Sequence, residues 1–418
     1  MIIWCPAAIA IFLTLFQAHV GPSIEVGKDQ ALSVAGPALP LVESNLSANP
    51  NNPKQLLVGV MQINSLDGIN RTCVAWGSFD GGQIWTQHSF PVKACGDPWC
   101  VILSDGTAMM VMLGEMGTYP EDDLFLFRSA DGGRTWPPKP VPFAAPHDHP
   151  MIVAQGDQVY VVSTEGVHSA DHHRSTVSVA HSRDRGTTFG PEKQSTESNL
   201  SYDAEGATVL SNGTLFVGFH DHNRQGSPER LIRPRVWLLR STDQGQTFSE
   251  PLFLSESCEG YGGWSSMVAD ASDRLFWVCV TDKFNGVLVQ RSDDRGESWS
   301  KAVRVNHRET ADSHTPSIAI NKDGVVGVTW YERHDKNCLD IYFTASLDSG
   351  KTFVPEMKVS GMTSCPDTPQ NKGAFPMFEA GGDYSGLAAT SDGLFHIVWS
   401  DARTGIYQLR TATVIVKH

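Results

Sequence analysis

The hydrophobic positions of this chain fall in short runs of β period, each closed by Gly, Pro, Asn or Asp, and no long segment repeats at the helical period. Leu56-Leu57-Val58-Gly59-Val60, Val159-Tyr160-Val161-Val162, Leu215-Phe216-Val217-Gly218-Phe219 and Val325-Val326-Gly327-Val328-Thr329-Trp330 read as strands. They follow turns such as Ser211-Asn212-Gly213 and Lys322-Asp323-Gly324, and another short apolar run precedes each turn, as in Ser317-Ile318-Ala319-Ile320. A second signal punctuates these groups. The pattern Ser-x-Asp-x-Gly-x-Thr-aromatic at Ser129 to Trp136 returns at Ser78 to Trp85, Ser182 to Phe189, Ser241 to Phe248, Ser292 to Trp299 and Ser346 to Phe353, with Ile84 and Ser298 standing where Thr is expected. Asp and Gly make a tight turn in which the carboxylate accepts backbone N–H bonds and glycine takes positive φ, while the Trp or Phe returns to the core. Such a box is scaffold rather than chemistry.

Successive boxes begin 51 to 59 residues apart, a period that belongs to stacked or radially arranged units. One unit reads strand, turn, strand, loop, strand, box turn, strand, which is a four-stranded antiparallel blade. First strands begin near Glu43, Trp99, Pro150, Glu205, Trp264, Pro316 and Tyr384. The chain is therefore expected to be all-β, a seven-bladed β-propeller, with a six-bladed ring and one irregular unit as the alternative. The last unit, Tyr384 to Lys417, has three strands and no box, so the segment around Ile24 to Ala35 is expected to supply a fourth strand and close the ring. The boxes then mark the bottom face. The long polar loops gather on the other.

Length and a repeat that runs throughout predict one domain over residues 19–418. Residues 1–18, MIIWCPAAIAIFLTLFQA, form an apolar run that resembles a secretory signal and is short for a bilayer, and no later stretch is apolar enough to span. We expect an exported, secreted or periplasmic monomer with no membrane span. A formal charge of −14 argues against nucleic acid and anionic membranes as partners. With Cys5 in the leader, seven cysteines remain, and pairs such as Cys95 with Cys100 or Cys338 with Cys365 would staple loops; buried free thiols are the alternative. Asn45, Asn70, Asn199 and Asn212 begin glycosylation sequons.

The loop face carries most of the unusual chemistry, including ten of the fifteen histidines. Asp148, His220, Arg333 and Arg403 on that face, and Trp264 at the head of a first strand, are candidates for substrate binding. His-x-His at 147 and 149, and again at 220 and 222, has the residue types of a metal site, but alternate strand residues face opposite ways and no third ligand is fixed by spacing. No metal and no cofactor is assigned from the sequence.

The six boxes resemble the Asp-box, or BNR, repeats of the sialidase-like propeller superfamily, and the resemblance covers nearly the whole mature chain. It implies the propeller fold and a glycan partner. Tyr384-Ser385-Gly386-Leu387 before Asp392-Gly393 is similar to the strand that carries the sialidase tyrosine nucleophile. Glu205, with Gly213 closing its strand, resembles the glutamate that activates that tyrosine, and Asp67, 11 residues before Ser78, resembles the acid/base aspartate. A tyrosine nucleophile suits an anomeric centre that already bears a carboxylate, which would repel Asp or Glu. The arginines that hold such a carboxylate depart from the pattern: Glu43 and His220 stand at two of the three positions, and Arg333 is a loose match for the third. The resemblance thus implies a sialidase-like exo-glycoside hydrolase. A polysaccharide lyase using His, Tyr and Arg, or a non-catalytic glycan-binding propeller, stands as the alternative.

Overall fold

The computed structural model describes residues 21–32, 39–65, 68–119, 122–144, 146–166, 175–195, 202–221, 235–255, 258, 266–281, 283–308, 312–334, 337–372, 374 and 378–417. The alternating runs become seven antiparallel meanders in chain order, each of four strands. Blade 1 is representative, with strands Leu41–Asn49, Asn52–Ile63, Arg71–Ser78 and Thr86–Ser89 running from inside to outside. The seven innermost strands are Leu41–Asn49, Lys93–Ile102, His147–Gln155, Tyr202–Val209, Ser266–Ala269, Asp312–Ile320 and Gly386–Ala389. Seven blades, not six, make the ring. The last is closed as its three-strand text requires: Ser23–Val26 pairs antiparallel with Gln408–Lys417, Ser23 opposite Lys417, and Gln30–Ala31 adds a further short pairing to the same strand. Asp29 fastens this closure, taking Arg403 at 2.8 Å, the Gly361 N–H at 2.7 Å and the Arg410 guanidinium.

Blades stack because each sheet is apolar on both faces, and buried clusters fill the space between neighbours. Between blades 4 and 5 the indole of Trp277, fully buried, lies over the cross-strand pair Gly206 and Gly218. A Cβ on Gly218 would sit 2.0 Å from Trp277 Cζ3, so only glycine admits the ring.

The boxes occupy the turns between third and fourth strands of blades 1 to 6. In the fourth box the Ser241 hydroxyl donates to Asp243 Oδ1 at 2.8 Å and accepts the Gly245 N–H at 2.8 Å. The hydroxyl and backbone N–H of Thr247 donate to Asp243 at 2.6 and 2.9 Å and hold its carboxyl down at about 2. In the first box Ile84 still donates its N–H to Asp80 at 3.0 Å, but its side chain is 71% exposed and brings no hydroxyl.

Disulfides join Cys73 with Cys95, Cys258 with Cys279, and Cys338 with Cys365. The last is one of the expected pairs. The pairing of Cys95 with Cys100 is not formed: both lie on the strand Lys93–Ile102, where five residues of extended chain separate them too far for an S–S bond. Cys95 instead reaches blade 1, and Cys100 is a buried free thiol pushed up to about 12 by burial. Asn45 is 9% exposed with its Oδ1 accepting the Cys100 N–H at 2.9 Å, a position closed to glycan attachment. Among the described residues no helix is long and apolar enough to cross a membrane. The leader proposed over 1–18 lies outside them.

Candidate site on the propeller axis

The innermost strands converge on a cavity of about 220 Å³, smaller than the range of about 300–1,000 Å³ usual for drug-sized ligands. Every blade contributes: Asn45 and Ser47, Asp97 and Trp99, His149 and Met151, Glu205, Ser266 and Met267, Pro316 and Ser317, Tyr384 and Ser385.

A repeated backbone irregularity places the candidate groups. In blades 1, 2, 3 and 6 the innermost strand is bulged, so that two residues oppose one on the neighbouring strand; the extra pairs are Glu43-Ser44, Asp97-Pro98, His149-Pro150 and Thr315-Pro316. The first residue of each pair is left-handed, with φ of 57°, 48°, 48° and 42°. Non-glycine residues rarely adopt this conformation, and holding one there costs on the order of 1–3 kcal/mol. A bulge re-aims side chains that a regular pleat would alternate between faces. In blade 4 the single extra residue is Glu205.

Tyr384 and Glu205 therefore line one cavity, although 179 positions separate them. Tyr384 stands edge-on to Trp99, with ring centroids 5.4 Å apart, and its hydroxyl lies 3.5 Å from the Pro98 carbonyl. Burial raises its phenol well above the ordinary range, and the charges of Glu43, Asp97 and Asp383 add to the rise. The ring is held neutral. Glu205 pairs with Nδ1 of His220, both side chains being fully buried. His220 thus stands behind Glu205 rather than in the cavity.

Around Tyr384 the field is acidic. Burial, reinforced by Asp97 and Asp383 and opposed by Arg71, raises Glu43 well above the carboxylate range. Burial also pushes Asp97 up to about 6, against the pull of His149 and with the push of Asp148 and Asp383. For His149 burial works against protonation, but Asp148, Asp97, Asp203 and Asp383 together raise it. One donor atom from each of Asp97, Asp148 and His149 lies within 4.8 Å of the others.

Other residues singled out by sequence fall elsewhere. Arg333 is held by Glu379 at 2.7 Å and lies 3.7 Å from Asp312, and Arg403 is held by Asp401 and Asp29, so neither lines the cavity. No Lys or Arg does so among the described residues. Asp67, Trp264 and His222 lie outside the described residues. His147 points away from His149, toward Ser163 at 2.9 Å and Glu192 at 3.3 Å. Asp97 is the residue that sequence reasoning missed. Its signal was the triplet Asp97-Pro98, His149-Pro150 and Thr315-Pro316 at equivalent places in three blades.

The family model of the BNR repeat-like domain matches residues 78–273. Among solved structures, one of a protein of unknown function from Dyadobacter fermentans superposes with a TM-score of 0.55 at 14% identity, covering 94% of this chain and 99% of that one. A polysaccharide lyase described as an ulvan lyase gives 0.54 at 12% identity, covering 92% and 95%. A Hadza microbial sialidase gives 0.48 at 13% identity, covering 93% and 91%. The first two share the fold of this chain.

Proposed function

Taking residues 78–273 as a BNR repeat-like domain within a seven-bladed propeller, we propose that the protein is an exported glycan-cleaving enzyme whose reaction takes place in the axial cavity. The observation that carries this reading is that Tyr384 and Glu205, on blades 7 and 4, line the same cavity. In the hydrolytic form, Tyr384 attacks the anomeric carbon, Glu205 takes the phenolic proton, and Asp67 protonates the leaving oxygen and later activates water. A neutral tyrosine has a purpose here. Burial, helped by the acidic surroundings, holds the phenol protonated in the resting site, so it gains nucleophilic strength only as its proton leaves. His220 positions Glu205 and lends it a donor, the task of a positioning residue. Three disulfides suit an oxidising compartment and support the export part of the reading.

Eliminative cleavage is a second reading, favoured by one observation: His149 and Tyr384 line the same cavity and supply the base and acid that proton abstraction beside a carboxylate requires. Incubation with fluorogenic glycosides and acidic polysaccharides, followed by mass spectrometry of products, separates the two. Saturated products with loss of at least about 100-fold in rate on Tyr384→Phe and on Glu205→Gln are expected for hydrolysis. Ultraviolet-absorbing unsaturated products would replace it by elimination. Turnover equal to wild type in both variants would remove Tyr384 and Glu205 from the chemistry.

A further inference from the structure

We propose that Asp97, Asp148 and His149 bind a divalent cation of the borderline class, Zn²⁺ or Mn²⁺, on the propeller axis beside Tyr384, with Glu43 as a carboxylate behind them. Two carboxylates and one imidazole within 4.8 Å of one another form a mixed oxygen and nitrogen set, which small side-chain rotations close around one ion. Such a set suits Zn²⁺ or Mn²⁺ better than Ca²⁺, which takes an all-oxygen shell. Asp97 and His149 line the cavity, so a three-ligand set there leaves positions for water or substrate.

An independent observation points to the same place. Glu43 is 3% exposed; its carboxylate accepts the Asp97 backbone N–H, and its Oε2 has no hydrogen-bond partner. A buried carboxylate oxygen left unmatched is costly, and a cation beside it would answer that cost. Glu43, Asp97, Asp148, Asp203 and Asp383 gather there, and the positive groups that meet them are Arg71 and His149. Acids outnumber bases there, and the three ligand residues are half-buried. The two bulges that present Asp97 and His149 are paired equivalents on adjacent blades, so the ligands sit on rigid strands rather than on loop tips.

The site stands without any statement about sugar. On the glycan reading given above, and resting on it, the ion would also supply the positive charge that the missing arginines do not, allowing a carboxylated or sulfated unit into a cavity whose own side chains repel it.

The full chain, stripped with EDTA and dialysed, is titrated calorimetrically with ZnCl₂ and with MnCl₂ in the absence of any glycan. We expect saturable binding of one ion per chain, weakened by about tenfold or more in Asp148→Asn and lost in His149→Gln combined with Asp97→Asn. Asp148 is one-third exposed, so its variant keeps the fold even if the double variant does not. No saturable binding, or an affinity unchanged by Asp148→Asn, overturns the site. Since no sugar is present, that failure leaves the cleavage reading standing, while intact ion binding with inactive glycan assays counts against the cleavage reading alone.

Discussion

At the scale of single residues, burial shifts several titratable groups toward their neutral forms. His396, on the middle strand of blade 7, is 3% exposed, and burial pushes its imidazole down to about 4. The unfolded chain binds a proton at about 6.5 and the folded one only near 4, so the stabilising contribution is complete above pH 6.5 and is lost as pH falls through 4. The loss amounts to about 3 kcal/mol at one pKa unit per 1.36 kcal/mol. Urea unfolding at pH 7.5, 5.5 and 4 should show wild type losing this much more than His396→Gln. Equal pH slopes in the two proteins would mean that the imidazole is already charged in the fold. Burial also raises Glu43 and Tyr384, and here neighbouring acids add to the rise, a concentration that sets this cavity apart from the apolar core.

At the scale of elements, blade contacts depend on where side chains are missing as much as on where they are present. Gly218→Ala places a methyl against a fully buried indole at 2.0 Å, and neither the strand nor Trp277 has room to give. Overpacking of this kind costs about 1–3 kcal/mol or more, so the thermal midpoint should fall by several degrees. The companion change Trp277→Phe in the Gly218→Ala background should recover part of the loss; no recovery would place the strain elsewhere. The bulges show the same economy. One extra residue per innermost strand, repeated in blades 1, 2, 3 and 6, turns a wall of alternating side chains into a ring of Glu43, Asp97, His149 and Thr315 about one axis.

At the scale of the whole molecule, the ring stands or falls with its closure. Asp29 joins Arg403, Arg410 and the Gly361 backbone, tying the N-terminal strands to blades 6 and 7. Removing one partner from a buried ion pair costs about 3 kcal/mol or more, so Asp29→Ala should lower stability by that amount. Deleting residues 21–31 should expose the strand Gln408–Lys417 as an open edge and drive self-association, read by size-exclusion chromatography. A monomeric, cooperatively unfolding truncation would show that six blades and three strands suffice. The blade count, the box turns and the closing strand were legible in the chain because each is written locally: a β period, a turn residue, a repeat with one strand short. Cys338 with Cys365 could be named from sequence, whereas Cys73 with Cys95 could not, since it depends on blade 2 being laid against blade 1. The site divides in the same way. Tyr384 and Glu205 announce themselves in local motifs, but Asp97 becomes a neighbour of Tyr384 only when the ring closes, and Arg333 and Arg403 leave the candidate set only when their acids take them. Sequence by itself determined which strands form and in what order, because hydrogen-bonding period and turn chemistry act over a few residues. Tertiary structure alone decided which charges share the axis, because burial and Coulomb energy depend on distances that no spacing along the chain records.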